Sequence, residues 1–142
     1  ASKMSDDLTR LVSEPMVLFK ANEPSWATKE DSMVTDGCFM YRTKGGKLLM
    51  IWSNFAEDGY AVGIAESEDG RPDGKWLQRE KRLYGKTDAG YPFDGGHGML
   101  FTDTDGQLYL SMHSPNTPVG ERDTTMVFLT VKEQDDDLIP IY

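Results

Sequence analysis

The chain is poor in the residues that carry most soft-metal and nucleophilic chemistry: it has one cysteine, Cys38, and two histidines, His97 and His113. A lone cysteine closes no internal disulfide, and without a second thiol the ligand spacing of a zinc site is missing, so a cysteine or metal enzyme is set aside. Cys38 falls in an apolar strand, where a buried, unreactive thiol is expected. Positive charge is scarce too. Fifteen Lys and Arg against 24 Asp and Glu give a net charge of −9, with no basic cluster to mark a nucleic-acid or anionic-membrane partner. No apolar run approaches the roughly 18–20 residues that span a bilayer, and no charged, apolar and small-residue leader precedes Ser5.

What the chain does contain is a repeat. Asp36-Gly37-Cys38-Phe39-Met40-Tyr41-Arg42 through Gly46-Lys47-Leu48 and Gly96-His97-Gly98-Met99-Leu100-Phe101-Thr102 through Gly106-Gln107-Leu108 are one unit written twice, roughly 60 residues apart. Each copy reads as an apolar strand, a tight turn closing on Gly46 or Gly106, and a second strand, Leu48–Ser53 or Leu108–His113. Third strands follow at Tyr60–Ala65 and Thr125–Val131. Trp76–Glu80 with Arg82–Tyr84 supplies a fourth, outer strand in the first unit, reached through the turn residues Asp69–Gly74. Four strands per repeat predict an all-β propeller of four-stranded antiparallel blades. Ser5-Asp6-Asp7 matches Ser67-Glu68-Asp69, and Glu14, Leu18 and Phe19 match Glu80, Leu83 and Tyr84, so the chain starts inside a blade. The expected division is a single partial propeller over 1–142: the end of one blade at 1–20, a second at 33–84 and a third at 94–142. About two and a half blades do not close a ring, which typically takes about 4–8. Further blades, or a second copy of the chain, are therefore expected partners.

The innermost strands of a propeller line its central channel and converge on one opening, so chemistry is expected where they begin, at Asp36 and His97. The bland alternatives are a turn-capping Asp36 and a packed His97 bonded to backbone. Gly96 and Gly98 around His97 favour function, since they permit close approach of main chain or ligand.

Val34-Thr35-Asp36-Gly37, Phe39–Arg42, Gly46–Ser53, Gly59–Ala65, Asp94-Gly95-Gly96-His97-Gly98-Met99 and His113-Ser114-Pro115-Asn116 together resemble the later blades of glycoside hydrolase family 43. The resemblance covers nearly the whole chain, with the motifs in order. It implies a five-bladed β-propeller, with 1–20 ending the third blade and the fourth and fifth blades following. It also implies hydrolysis of arabinose- or xylose-containing saccharides with inversion, and a secreted or periplasmic bacterial protein.

An inverting glycosidase needs a general base and a general acid about 6.5–9.5 Å apart. By resemblance the base is an Asp of the first blade, a second Asp of the third blade tunes the site, and a Glu opening the fourth blade is the acid. The first two lie outside this chain, which alone is expected to be inactive. The fourth-blade position holds Asp36, which reaches roughly 1.5 Å less far than Glu. Two roles stay open for it, the acid in altered geometry or a sugar-binding carboxylate. His97 matches a fifth-blade histidine that supports a hydrated calcium ion near the axis in arabinanase-like members. No cofactor is required, and calcium through water at His97 is an expectation of the resemblance, because calcium prefers about 6–8 oxygens. A neutral His97 can instead orient carboxylates.

Trp52, Phe55, Tyr60 and His113 are the candidate sugar contacts. Inter-blade packing is the default for Trp52; Phe55 or Tyr60 offers a ring face for sugar C–H groups; His113 ends a strand near the same opening. Asp103-Thr104-Asp105-Gly106 reads as a hairpin turn and Asp135-Asp136-Asp137 as a solvated turn before Leu138-Ile139-Pro140-Ile141. Small residues in Ala61–Ala65 predict close packing on a neighbour at Gly63. The leading function is the carboxy-terminal part of a glycosidase; the alternative is a non-catalytic carbohydrate-binding or assembly module closed by dimerisation.

Overall fold

A computed structural model describes residues 1–28, 33–88, 90–116 and 123–142. Among them are eight strands: β1 (Asp36–Arg42), β2 (Leu48–Ala56), β3 (Gly59–Ser67), β4 (Trp76–Gln78), β5 (Gly96–Thr102), β6 (Leu108–Ser114), β7 (Thr125–Gln134) and β8 (Asp137–Ile141). They form two four-stranded antiparallel sheets in the orders β1-β2-β3-β4 and β5-β6-β7-β8. These are successive blades of a partial β-propeller, all-β as expected. Residues 117–122, within the unit predicted over 94–142, lie outside the described residues.

The two hairpins are built alike because their turns are. Gly46 N–H donates to the Thr43 carbonyl (3.0 Å) and Gly106 N–H to the Asp103 carbonyl (3.1 Å), both glycines in the left-handed region with φ 98° and 86°. Thr43 Oγ1 then accepts Lys47 N–H (3.0 Å), as Asp103 Oδ1 accepts Gln107 N–H (2.8 Å). A side-chain acceptor that pins the turn lets the strands leave it in a fixed register. The amino-terminal segment repeats another turn. Asp7 Oδ1 accepts Thr9 N–H (3.2 Å) and the Ser5 hydroxyl (2.5 Å), and Asp69 Oδ1 accepts Arg71 N–H (3.0 Å) and the Ser67 hydroxyl (3.1 Å). Leu8 has the same left-handed conformation as Gly70.

Two expectations need correction. The outer strand of the first blade is regular only over Trp76–Gln78; beyond it the edge is held by single bonds, Arg79 N–H to Ile64 C=O (2.9 Å) and Leu83 N–H to Val62 C=O (2.8 Å). The fourth strand expected of the second blade is β8, whose Pro140 is tolerated because it lies on the sheet edge. The Asp triplet is not merely solvated. Asp135 and Asp136 form the β7–β8 turn with positive φ, Asp136 accepts Gly45 N–H (2.9 Å), and Asp137 opens β8 and pairs with Arg79.

The core lies between blades. Leu49, Ile51, Val62 and Ile64 of the first blade meet Leu100, Leu110, Met112 and Val131 of the second. On its other face the first blade packs Leu48, Met50, Trp52 and Trp76 against Leu18, Phe19 and Trp26 of the amino-terminal segment. Glu133 joins the blades at the end opposite Asp36, accepting from the Tyr41 hydroxyl (2.6 Å). Burial first, then that carboxylate, pushes the Tyr41 phenol up to about 12.

Candidate active site

Both innermost strands begin with the same defect. Register breaks between Asp36 and Phe39 in β1 and between Gly96 and Met99 in β5, and the residue in each bulge, Gly37 or His97, is left-handed with φ 57° or 51°. Bulges re-aim side chains at functional edges. Here they bring the two strand starts together: a Cβ on Gly37 would lie 2.7 Å from His97 Cα. His97 N–H also donates to Ser53 Oγ (2.8 Å), tying the second blade's entry to the first blade's β2.

Asp36 is the centre of the arrangement. Its Oδ2 accepts the Tyr60 hydroxyl (2.8 Å) and faces His97 Nδ1 (3.1 Å), and its Oδ1 accepts Gly37 N–H (2.9 Å). Partial burial alone would raise the carboxyl, but the donors from Tyr60 and His97, with Gly37 N–H, outweigh it and hold the carboxyl below its ordinary range. Burial and then the neighbouring Asp36 carboxylate push the Tyr60 phenol up. Asp36 is thus an ionised acceptor and Tyr60 a standing donor at neutral pH. Behind them the Tyr60 ring stacks on His113 (centroids 5.5 Å, 14° between planes) and tilts against Phe55 (5.1 Å). His113 and His97 rings are 6.3 Å apart.

The structure therefore gathers Asp36, His97, Tyr60, Phe55 and His113, and leaves out Trp52. Trp52 is fully buried between Phe19 and Trp26, and its Nε1 donates to Gln78 Oε1 (3.1 Å), so it offers no face to a sugar. Tyr60 also departs from expectation. At 3% exposure its ring is part of the packing and only its hydroxyl reaches the carboxylate. Cys38 departs in the opposite sense: by strand alternation it shares the exposed side of β1 with Met40 and Arg42. Partial desolvation by the atoms packed around it, then the Asp36 charge, raises its thiol, which disfavours the reactive thiolate. An open hollow of about 560 Å³ bordered by Cys38, His97, Met99, Met112, His113 and Met126 starts beside His97 and runs along the second sheet, without Asp36 in its lining.

Sequence reading missed Asp94 as a site residue. Its carboxylate is buried and accepts Tyr60 N–H (3.0 Å) and Asn116 N–H (3.0 Å). Among the described residues, calcium at His97 would have to take most of its ligand shell from water. Nδ1 of His97 is turned to Asp36, and no group of three or more His, Cys, Asp or Glu side chains among the described residues is arranged for a metal, whereas calcium takes about 6–8 oxygens.

No family model matches the chain, and no curated protein matches it. Solved structures do. An endo-arabinase from Bacteroides thetaiotaomicron VPI-5482 superposes with a TM-score of 0.80 at 35% identity, over 94% of this chain and 46% of that one. An endo-1,4-beta-xylanase from the same organism gives 0.78 at 23% identity (99% and 48%), and an alpha-L-arabinofuranosidase from Lactobacillus brevis gives 0.67 at 20% (98% and 45%). The last two likenesses show the fold. The chain spans a little under half the length of each of these structures, and nearly all of it matches them.

Proposed function

We propose that this chain is the carboxy-terminal half of a glycoside hydrolase of family 43 that acts on arabinose- or xylose-containing saccharides with inversion. The supporting observation is the Asp36 carboxylate, set at the bulged mouth where the innermost strands of two blades converge, in a chain 35% identical to part of an endo-arabinase. The general base, and the blades that would cover the exposed face of β5–β8, lie on sequence outside this chain. They are the partner of the site.

Of the two roles open to Asp36, the geometry favours the sugar-binding carboxylate. Three donors already face it, and each stabilises the charged form, so taking up the proton that a general acid must deliver is opposed. An ionised carboxylate held this way accepts hydroxyl protons of a sugar ring strongly and fixes its orientation, while His97, beside it, is positioned to contact the same ring. Phe55 supplies the apolar margin. The proton donor to the leaving oxygen then comes, like the base, from the remaining blades.

The test is hydrolysis of linear arabinan, arabinoxylan and xylo-oligosaccharides by the native polypeptide containing this chain, with the first-formed anomer read by NMR. Arabinan or xylan cleavage giving the inverted anomer is expected. A retained anomer would overturn the inverting mechanism, and no cleavage of any of the three would overturn the activity.

A further inference from the structure

The site depends on a buried carboxylate that belongs to neither innermost strand. Asp94 precedes β5, is 5% exposed, and lies at the seam between the blades. Its Oδ2 accepts the backbone N–H of Tyr60, at the start of β3 in the first blade (3.0 Å), and its Oδ1 accepts that of Asn116, just beyond β6 in the second (3.0 Å). Its carbonyl takes the Ser114 hydroxyl (2.8 Å), and the next N–H, of Gly95, donates to the Tyr60 carbonyl (3.0 Å). The first blade makes room for it. Gly59 has φ 121°, and a Cβ there would lie 2.7 Å from Asp94 Cβ.

One of the two groups that Asp94 holds faces Asp36. Tyr60, fixed at its backbone, sends its hydroxyl to Asp36 Oδ2. Asn116, fixed at its N–H, sets Oδ1 2.8 Å from His113 Nε2, an acceptor that favours the Nε2-protonated tautomer, and the His113 ring lies flat on Tyr60. We infer that Asp94 is a positioning residue of this site, a clamp that spans two blades and sets the Tyr60 donor to Asp36 and, through Asn116, the His113 ring that backs Tyr60. Two backbone N–H bonds to one carboxylate are stronger than neutral ones, and an amide in its place can no longer join the two blades, because its single oxygen accepts one N–H and its NH2 faces the other. The inference takes the identity of the ligand from the proposed function, but the arrangement itself does not depend on it.

The experiment uses the fact that the chain has only two histidines, both at the site. Imidazole nitrogen spectra of the chain are recorded for the wild type and Asp94→Asn, beside far-UV circular dichroism and thermal unfolding. A folded Asp94→Asn protein is expected to lose the Nε2-protonated signature of His113 and the upfield shift that the stacked Tyr60 ring imposes on it. Asn116→Ala should release the His113 tautomer while leaving the Tyr60 backbone bond in place. A folded Asp94→Asn protein whose His113 and His97 signals overlay the wild type overturns the inference. Should that variant fail to fold, amide exchange in the wild type decides: protection of both Tyr60 and Asn116 N–H supports the clamp, and exchange of both at open-chain rates overturns it. In the hydrolase assay, Asp94→Asn is expected to lower kcat at least tenfold, and Tyr60→Phe, which keeps the backbone bond, less so. A wild type inactive on all saccharides would count against the proposed function alone, since the spectra read the clamp without substrate.

Discussion

The two blades are copies of one strand pattern, yet they live in different surroundings. In the first, β2 is buried on both faces; in the second, β6 alternates between buried and half-buried residues. Strand pairing makes Val62 and Ile64 the counterparts of Met126 and Phe128, since Trp52 and Met112 face Gly63 and Val127 respectively. Val62 and Ile64 are core, whereas Met126 is 71% and Phe128 54% exposed. The residues are apolar in both cases. The difference lies in the neighbour: the first blade has the amino-terminal segment on one side and the second blade on the other, while among the described residues the second blade has a neighbour on one side only. Burial in a propeller is thus a property of position in the ring, and periodicity within one strand reports it only once the adjoining blades are known.

The largest expected effect probes a device that the described second blade lacks. Arg82, nearly buried, pairs with Asp58 and Asp88 and locks the loop after β4 onto the β2–β3 turn. Arg82→Met leaves the Asp58 charge without its partner and is expected to cost about 3–5 kcal/mol in chemical denaturation. The core comparison comes next. Ile64→Ala should cost about 2–5 kcal/mol as a cavity between blades, and Phe128→Ala under about 0.5 kcal/mol in this chain. Repeating Phe128→Ala in the longer native polypeptide sharpens the comparison, because a covering blade should raise its cost toward that of Ile64→Ala. Equal costs in this chain would break it.

Gly63→Leu is a smaller and more local test. A Cβ at Gly63 would lie 2.1 Å from the Trp26 ring, so the substitution overfills the contact between the first blade and the amino-terminal segment and should cost about 1–3 kcal/mol. An unchanged unfolding midpoint would mean that the segment is not fixed on that face. The smallest effect is in acid. Burial would raise the Asp58 carboxyl, but the Arg82 and Thr87 donors hold it well below its ordinary value. Its contribution is therefore complete above the unfolded carboxyl value of about 3.9 and is lost as pH falls below that toward the folded value. The Arg82→Met protein should show a shallower loss of stability over that acid range than the wild type.

Much of the fold was legible because the turns are written in residues with one job each. Thr43 with Gly46 and Asp103 with Gly106 announce two like hairpins, and the alignment of Gly37 with His97 already contained the shared bulge. β8 was obscured by Pro140, which counts against a strand until the strand is known to be an edge. The exposure of Cys38 was hidden because both faces of β1 carry apolar residues, and the sequence does not say that the face shared by Cys38 and Met40 is the uncovered one. At the site, Asp36 and His97 could be found from their places at strand starts. The packing role of Tyr60 could not, because it depends on His113 from the next blade, and Asp94 acts on partners 34 and 22 residues away that no local pattern links to it.

The central claim is that Asp36 is the carboxylate through which this half grips a saccharide. It is tested most directly by measuring turnover of linear arabinan and arabinoxylan by the native polypeptide with Asp36 intact and with Asp36→Asn, at equal folded concentration. Removal of the charge is expected to lower kcat/KM on the order of 10²-fold or more, while thermal stability changes little. An unchanged kcat/KM on a substrate that the wild type cleaves would contradict the account.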